Sequence, residues 1–392
     1  MVDPAPIDGG RILAEAHELA FPRYPGSEGD ARIIDMLSER LRPRGLQVAV
    51  EPFSYDIRPA VWALRTVLVT SGLLVAASGL TAHRAPWLGL VVIGVALLPG
   101  LIFLAWAPWL ERLYRRPGPT QTANVVGRRT PVDPRATLIV MAHHDSKSQS
   151  LTLPYRAGFT LIAIVGSITL AVLIVIGAMA GEVPGPPWLA QGAGIAAATA
   201  ALTLATMRSG NRSPGGVDNA GSVAILLELA RVLPDRLDDD VELVFLSTGA
   251  EEDHMVGALR WLEQHSEELA GRPSYCFNFD GAGSPGRLVL LERYGFGRMF
   301  SATMSAAARR AASRLGLRVR GVLQPPAMGI DAIPFTNRGL PCLTIASGSL
   351  DRATMSVHSA NDRAEHLDAD TLERAARLGL EAALELVAER TG

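Results

Sequence analysis

Residues 241–254, VELVFLSTGAEEDH, decide how this chain folds. Their first six residues are almost wholly apolar and too few for a helix, which favours a strand buried in a sheet. Turn residues end the run, and Glu251 and Glu252 follow. Open α/β sheets bind ligands just beyond the carboxyl ends of their strands, so one carboxylate could hold a metal while the other reaches a water. An isolated Glu-Glu pair is more often a solvated acidic turn, so the interpretation depends on ligands from other strands.

The amino-acid composition argues against several classes of protein. The chain has 392 residues, enough for two ordinary domains, and a formal charge of −2, which argues against a nucleic-acid binder. Cys276 and Cys342 are its only cysteines, too few for a disulfide framework or a thiolate zinc site. The hydrophobic content of 48% is high for a soluble enzyme and indicates membrane spans.

Four uncharged apolar runs supply those spans, at residues 66–82, 87–110, 157–180 and 188–207. Short polar turns join them in pairs, which predicts two transmembrane hairpins, although a buried helical pair within a large core is the alternative. The last run is rich in alanine and would need to pack its small residues on a neighbouring helix. The predicted division is a catalytic domain in three parts (residues 1–57, 118–150 and 209–392) interrupted by hairpins at 58–117 and 151–208.

Outside these runs, short strands alternate with amphipathic helices. This order predicts an α/β fold with a mostly parallel mixed sheet sandwiched between helices. Strands are expected at residues 46–53, 136–141, 241–246, 275–279, 288–291 and 340–346. Pro341 lies inside the last segment, which predicts an edge strand because proline cannot donate a ladder hydrogen bond.

Five possible metal ligands follow predicted strands, open a helix or lie in the polar loop before the last helix: His143, Asp218, Glu252, Asp280 and His358. Two histidines and three carboxylates suit two divalent ions, with one carboxylate bridging them.

Three neighbouring residues bear on this set. Glu251 would remain free to take a proton from a water, and Asp145 could accept the second imidazole N–H of His143. His144 would replace His143 if the strand register shifted by one residue. Asp218 by itself could also be only a helix cap.

These motifs resemble the co-catalytic zinc exopeptidases, a family that includes secreted bacterial leucine aminopeptidases and glutamate carboxypeptidase. The resemblance covers the parts of the chain outside the apolar runs and implies His143 and Asp280 on one zinc, Glu252 and His358 on the other. It further implies Asp218 as the bridge and Glu251 as the general base. The matching stretches are His143-x-Asp145, Asp218-Asn219-Ala220-x-Ser222, Glu251-Glu252, Asn278-x-Asp280, His358-Ser359-x-Asn361-Asp362 and the N-terminal Pro22-Arg23-Tyr24-Pro25-Gly26-Ser27.

The chain also departs from the family pattern. Both apolar insertions are foreign to a typical member. Asp331-Ala332-Ile333-Pro334-Phe335 is similar to a late Ser-Asp-His-x-x-Phe segment, but Ile330 and Ala332 replace its serine and histidine. Asp331 is therefore only a candidate substrate-binding residue, and the sequence offers no clear oxyanion donor.

The resemblance implies a membrane-anchored exopeptidase, most simply an aminopeptidase, that uses two Zn²⁺ or other divalent ions. Peptide bonds would be hydrolysed by a metal-bound hydroxide with Glu251 as general base. One alternative is another metal-dependent amide hydrolase or a cyclase on the same site. A second is a non-catalytic receptor or scaffold that keeps the peptidase-like domain.

Charge bias sets the expected location. Arginine and lysine crowd the ends of the four apolar runs on one side, whereas the opposite loops carry only Arg84. Because positively charged loops stay inside, we expect a multi-pass plasma-membrane protein with a cytoplasmic catalytic domain. The absence of an apolar stretch behind a basic N-terminus agrees with this location. The expected partners are the lipid bilayer and peptide substrates, including membrane-associated ones, but not nucleic acid. The oligomeric state is left open.

Overall fold

The computed structural model describes residues 6–104, 108–324, 328–348 and 352–388, and its chain separates into two compact units. The sheet unit comprises Met1–Asp56, Tyr114–Ser148 and Gly210–Gly392, and the helical unit comprises Ile57–Leu113 and Gln149–Ser209.

The described strands are β1 Gln47–Tyr55, β2 Thr120–Arg129, β3 Ala136–His143, β4 Ser148–Gln149, β5 Ser209–Gly210, β6 Val241–Thr248, β7 Ser274–Phe279, β8 Arg287–Tyr294, β9 Arg298–Met299, β10 Val319–Gln324 and β11 Cys342–Gly348. The described helices are α1 Gly9–Leu19, α2 Glu28–Leu41, α3 Arg58–Thr81, α4 Pro86–Leu104, α5 Leu153–Ala180, α6 Pro187–Ala205, α7 Gly221–Val232, α8 Val256–Ala270, α9 Ala302–Arg314, α10 Ala332–Asn337, α11 Arg352–Ser356 and α12 Ala369–Ala388.

The main sheet has the order β1-β2-β6-β3-β7-β11-β8-β10, with β9 paired to β8. Its four central strands, β6, β3, β7 and β11, run parallel, whereas β2 and β8 run antiparallel to their central neighbours. Every residue of β3 and β6 is buried, as expected for strands covered on both faces. The prediction of a mostly parallel mixed sheet sandwiched by helices is confirmed.

Helices cover both faces of this sheet. Residues of α1, α2, α7, α9 and α12 join the inward side chains of the strands in one continuous apolar core. On the other face, Asn124 of β2 donates to the Gly257 carbonyl at the start of α8, and Trp261 of α8 stacks on Phe335 of α10. Side chains alternate along a strand, so Asn124 points away from the core residue Val125.

The prediction of an edge strand at residues 340–346 is wrong. Strand β11 lies inside the sheet between β7 and β8, and it begins at Cys342, one residue after the proline. The Pro341 carbonyl still accepts the Cys276 N–H, at 3.0 Å. Since proline lacks only a donor, it is tolerated just before the first residue of an interior strand.

The helical unit contains α3, α4, α5 and α6, which share an apolar core of their own. Small residues let α6 approach its neighbours closely. A Cβ atom on Gly79 of α3 would lie 2.7 Å from the Ala190 carbonyl oxygen, and one on Gly194 would lie 3.0 Å from that of Val75. Such close backbone approach through glycine and alanine is typical of helices that associate in lipid.

Three of the described helices, α3, α5 and α6, are long and apolar enough to cross a membrane. The segment Pro86–Ile102 of α4 is apolar but shorter. The predicted run 87–110 continues through residues 105–107, which lie outside the described residues. The fourth span and the two-hairpin arrangement therefore stay predictions.

Candidate metal centre

Three neighbouring parallel strands end at the candidate metal centre. His143 is the last residue of β3 and pairs in register with Thr248, the last residue of β6. Glu251 and Glu252 lie in the turn after β6, and Asp280 directly follows β7. The pairing of the strands therefore brings an imidazole and three carboxylates to one edge of the sheet.

Two loops complete the site. Asp218 lies in the kinked segment Gly216–Ala220 just before α7, and Asp362 holds that segment by accepting the N–H groups of Val217 at 2.8 Å and Asp218 at 3.3 Å. His358 follows α11 with a φ of 62°, in the left-handed region that non-glycine residues seldom occupy. Unusual backbone of this kind clusters at functional sites.

The five predicted ligands form two groups that share Asp218. The His143 Nε2 atom lies 3.1 Å from Asp218 Oδ1 and 3.7 Å from Asp280 Oδ1. On the other side, His358 Nε2 lies 3.1 Å from Asp218 Oδ2 and 2.9 Å from Glu252 Oε2. The two oxygens of Asp218 thus face different histidines, the arrangement that a bridging carboxylate requires.

This donor set fits divalent metal ions. Each group offers one imidazole nitrogen and two carboxylate oxygens that lie within 4.8 Å of one another. Imidazole with carboxylate is a common zinc ligand set, and three protein ligands leave a coordination position open for water or substrate. The described residues could therefore hold one ion in each group.

The electrostatics of the centre show why cations suit it. Burial opposes charging of His143, but Glu251, Asp145, Asp218 and Asp280 outweigh it and raise the His143 pKa well above its usual value. Such crowding of carboxylates around two histidines leaves an excess of negative charge, which divalent cations would neutralise.

Glu251 belongs to neither group but lies close to the one that contains His143. Its Oε2 atom lies 4.0 Å from His143 Nε2, and the residue is buried. Burial, together with the carboxylates of Asp280, Asp331 and Glu252, raises the Glu251 pKa well above its ordinary value. A carboxylate in this environment is a stronger proton acceptor than one in water.

Asp145 contacts the turn that carries Glu251 and Glu252 as well as His143. Its Oδ1 accepts the Glu251 N–H and its Oδ2 the Glu252 N–H, each at 3.1 Å. The second ring nitrogen of His143 lies 3.2 Å from the main-chain oxygen of Asp145 and 3.5 Å from its carboxylate. The carboxylate therefore fixes the turn that carries the two glutamates, and the main-chain oxygen is the closer partner of the imidazole.

The alternative ligand His144 points to another environment. Its Nδ1 lies 3.1 Å from Ser247 Oγ, and burial lowers its pKa to about 4, so the ring is neutral at physiological pH. In the described structure it belongs to neither ligand group.

Asp331 lies close to the centre. It is fully buried, its Oδ2 accepts a hydrogen bond from Thr248 Oγ1, and its Oδ1 has no hydrogen-bond partner among the described residues. Burial raises the Asp331 pKa to about 7.

Two residues that support the site, Lys147 and Arg23, were not predicted from the sequence. Lys147 places its ammonium 3.2 Å from Glu252 Oε2 and donates to the Glu252 carbonyl. Arg23 is buried and donates to the main-chain oxygens of His144, Pro214 and Gly215, which joins the loops before Asp218 and after His143. The only available signal for Arg23 was its place in the N-terminal motif, and Lys147 had none.

The chain is similar in sequence to known peptidases. The model of a family described as peptidase family M28 matches residues 124–383. Aminopeptidase YwaD of Bacillus subtilis (strain 168) is 26% identical over 184 residues, which are 45% of this chain. The match spans only 38% of that relative's length.

Solved structures share the fold. A zinc aminopeptidase from Bacillus subtilis has a TM-score of 0.59 at 15% identity, covering 97% of this chain and 95% of its own. An aminopeptidase from Aneurinibacillus sp. strain AM-1 has a TM-score of 0.58 at 15% identity, covering 96% and 93%. A glutaminyl cyclase from Fimbriiglobus ruber has a TM-score of 0.56 at 13% identity, covering 98% and 97%.

Proposed function

Because the chain belongs to peptidase family M28, we propose that it is a membrane-anchored, zinc-dependent exopeptidase of the aminopeptidase type. The observation that carries the proposal is the pair of ligand groups sharing Asp218, with Glu251 outside both and 4.0 Å from His143. A non-catalytic scaffold would not need a complete ligand set together with a buried carboxylate that belongs to neither ligand group.

In this proposal His143 and Asp280 would hold one ion, Glu252 and His358 would hold the other, and Asp218 would bridge them. Bound zinc ions would lower the pKa of a water and polarise the peptide carbonyl. Glu251 takes the proton as the water oxygen adds to the carbonyl carbon. It then returns that proton to the amine nitrogen as the C–N bond breaks. Asp331 is proposed to contact the substrate, since its Oδ1 is buried without a partner among the described residues.

Peptides with free and blocked N-termini test the proposal. We expect stepwise release of single residues from a free peptide and no release from its N-acetylated counterpart. Cleavage of both would indicate a different amide hydrolase.

The similarity in fold to a glutaminyl cyclase makes cyclisation the second candidate. It would appear as loss of ammonia from an N-terminal glutamine with the chain intact.

Replacing Asp145 with asparagine tests the positioning of the Glu251–Glu252 turn. An amide can accept only one of the two N–H groups that the carboxylate accepts, so the turn should shift. We expect zinc affinity to fall about 10- to 100-fold, with a matching loss of turnover, as when other partners of metal ligands are removed. Calorimetric zinc titration of the metal-free protein measures this, with the exposed Asp239→Asn as control. An unchanged affinity would contradict the positioning role.

The membrane assignment rests on the three apolar helices α3, α5 and α6 and on the charge bias. We propose a multi-pass plasma-membrane protein whose sheet unit is cytoplasmic, since arginines such as Arg112, Arg115 and Arg208 crowd the ends of the spans on one side. In sealed inside-out vesicles, added protease should remove a C-terminal tag. Protection of the tag there would place the sheet unit outside the cell.

A further inference from the structure

The chain passes between its two units four times: after Asp56, before Tyr114, after Ser148 and before Gly210. Strand β1 runs in the same direction as β6, because both pair antiparallel with β2, so Tyr55 lies at the edge of the sheet where β6 ends. Strand β2 begins opposite Tyr55 at that edge. The carboxyl edge that carries the candidate metal ligands is therefore also the edge from which β1 leaves and β2 returns.

Residues at the first two passages contact the residues that follow Glu252. The Tyr55 hydroxyl donates to Asp253 at 2.7 Å. The Tyr114 ring stacks on the His254 ring, with centroids 5.0 Å apart and planes at 19°. Asp253 and His254 directly follow the proposed ligand Glu252. Both ends of the first insertion therefore contact the turn that carries Glu251 and Glu252.

The other two passages reach the same turn. Lys147, one residue before the third passage, binds Glu252 through its ammonium group. Asn211, next to the fourth, accepts the Tyr24 N–H at 3.0 Å, and the Tyr24 hydroxyl donates to Asp253 at 3.1 Å. Every passage thus contacts residues 252–254 directly or through one tyrosine.

Chain length limits how far the apolar helices can begin from this turn. Helix α3 begins at Arg58, three residues after Tyr55, and α5 begins at Leu153, six residues after Lys147. An extended chain spans at most about 3.5 Å per residue, which gives about 10 Å and about 20 Å for these connections. These lengths are counted from Tyr55 and Lys147, whose side chains bind Asp253 and Glu252 of the turn.

We infer that the preferred substrates are peptides held at a membrane surface: the N-termini of membrane proteins or amphipathic peptides bound to lipid. The inference rests on the proposed function and on α3 and α5 spanning the bilayer. Connections this short keep the metal centre near the lipid headgroups, so a peptide lying on that surface reaches it without leaving the lipid. A soluble peptide gains nothing from this placement.

The test uses the full chain reconstituted in phosphatidylcholine vesicles and one leucine-headed fluorogenic peptide in three forms. The first is free, the second is joined at its C-terminus to a lipid through a flexible spacer of about six residues, and the third through about 24 residues. We expect the short-spacer form to be hydrolysed within about threefold of the long-spacer form, and both at least about tenfold faster than the free peptide.

Other results would overturn the inference that substrates are held at the membrane surface. A folded unit of this size is about 50 Å across, so a site on its far side would need a spacer of at least about 15 extended residues. Hydrolysis of the long-spacer form alone, or equal rates for anchored and free peptides, would overturn the inference but leave the peptidase assignment intact. Failure to hydrolyse any of the three would overturn the proposed function itself and the inference with it.

Discussion

Replacing Glu251 with glutamine should lower turnover by about 10²- to 10⁴-fold, the range that a positioned general base contributes. The amide has nearly the same size but cannot take a proton from water. Glu251 belongs to neither ligand group, and its Oε2 lies 4.0 Å from His143 Nε2, so the variant should keep its zinc. The expected result is a fully metallated protein that has lost its activity.

Parallel measurements of zinc content and turnover decide this prediction. Glu267→Gln is a matched control, because Glu267 lies on the exposed side of α8 and should tolerate the change in both measurements. Near wild-type turnover in Glu251→Gln with zinc retained would show that another group acts as the base. A loss of zinc from this variant would instead make Glu251 a ligand.

The substitution Asp218→Asn should weaken both metal sites together. The two carboxylate oxygens of Asp218 each lie 3.1 Å from a different histidine, and an asparagine side chain offers only one oxygen. We expect a loss of affinity larger than the 10- to 100-fold typical of residues that only support a ligand, together with loss of turnover. Calorimetric zinc titration of the metal-free variant measures both sites in one experiment.

Substitutions at unshared ligands provide the contrast. Asp280→Asn and Glu252→Gln each alter one group only, so each variant should still bind one ion with an affinity close to that of the wild type. The exposed Asp370→Asn on α12 serves as a control for the change in charge. If Asp218→Asn lost only one ion, or if Asp280→Asn lost both, the bridging assignment would be incorrect.

The central strands could be predicted because burial on both faces leaves a continuous apolar run. The segments that became β3 and β6 have this pattern, and the sheet buries every residue of both. Strands β2 and β10 were not predicted, because their residues show neither a continuous apolar run nor a clear alternation of polar and apolar positions. Strand β11 was predicted at an edge because a local pattern cannot distinguish a proline that precedes a strand from one that interrupts it.

The candidate ligands could be named from the sequence, but the residues that hold them in place could not. A histidine and several carboxylates at the ends of strands are together typical of a metal site. His143, Asp280 and Glu252 could therefore be named from the sequence. The contacts of Arg23 with the His144 and Gly215 carbonyls and of Lys147 with Glu252 join segments more than 100 residues apart. Only the folded chain brings these segments together, so no local spacing could indicate them.

The number of zinc ions bound to the purified full chain is the decisive measurement for the proposed metal centre. Chelator-treated protein would be titrated with zinc while bound metal and aminopeptidase turnover are followed together. We expect binding to saturate at two ions per chain and turnover, absent from the metal-free protein, to rise as the sites fill. Turnover in the metal-free protein, or zinc binding that never approaches two ions per chain, would contradict it.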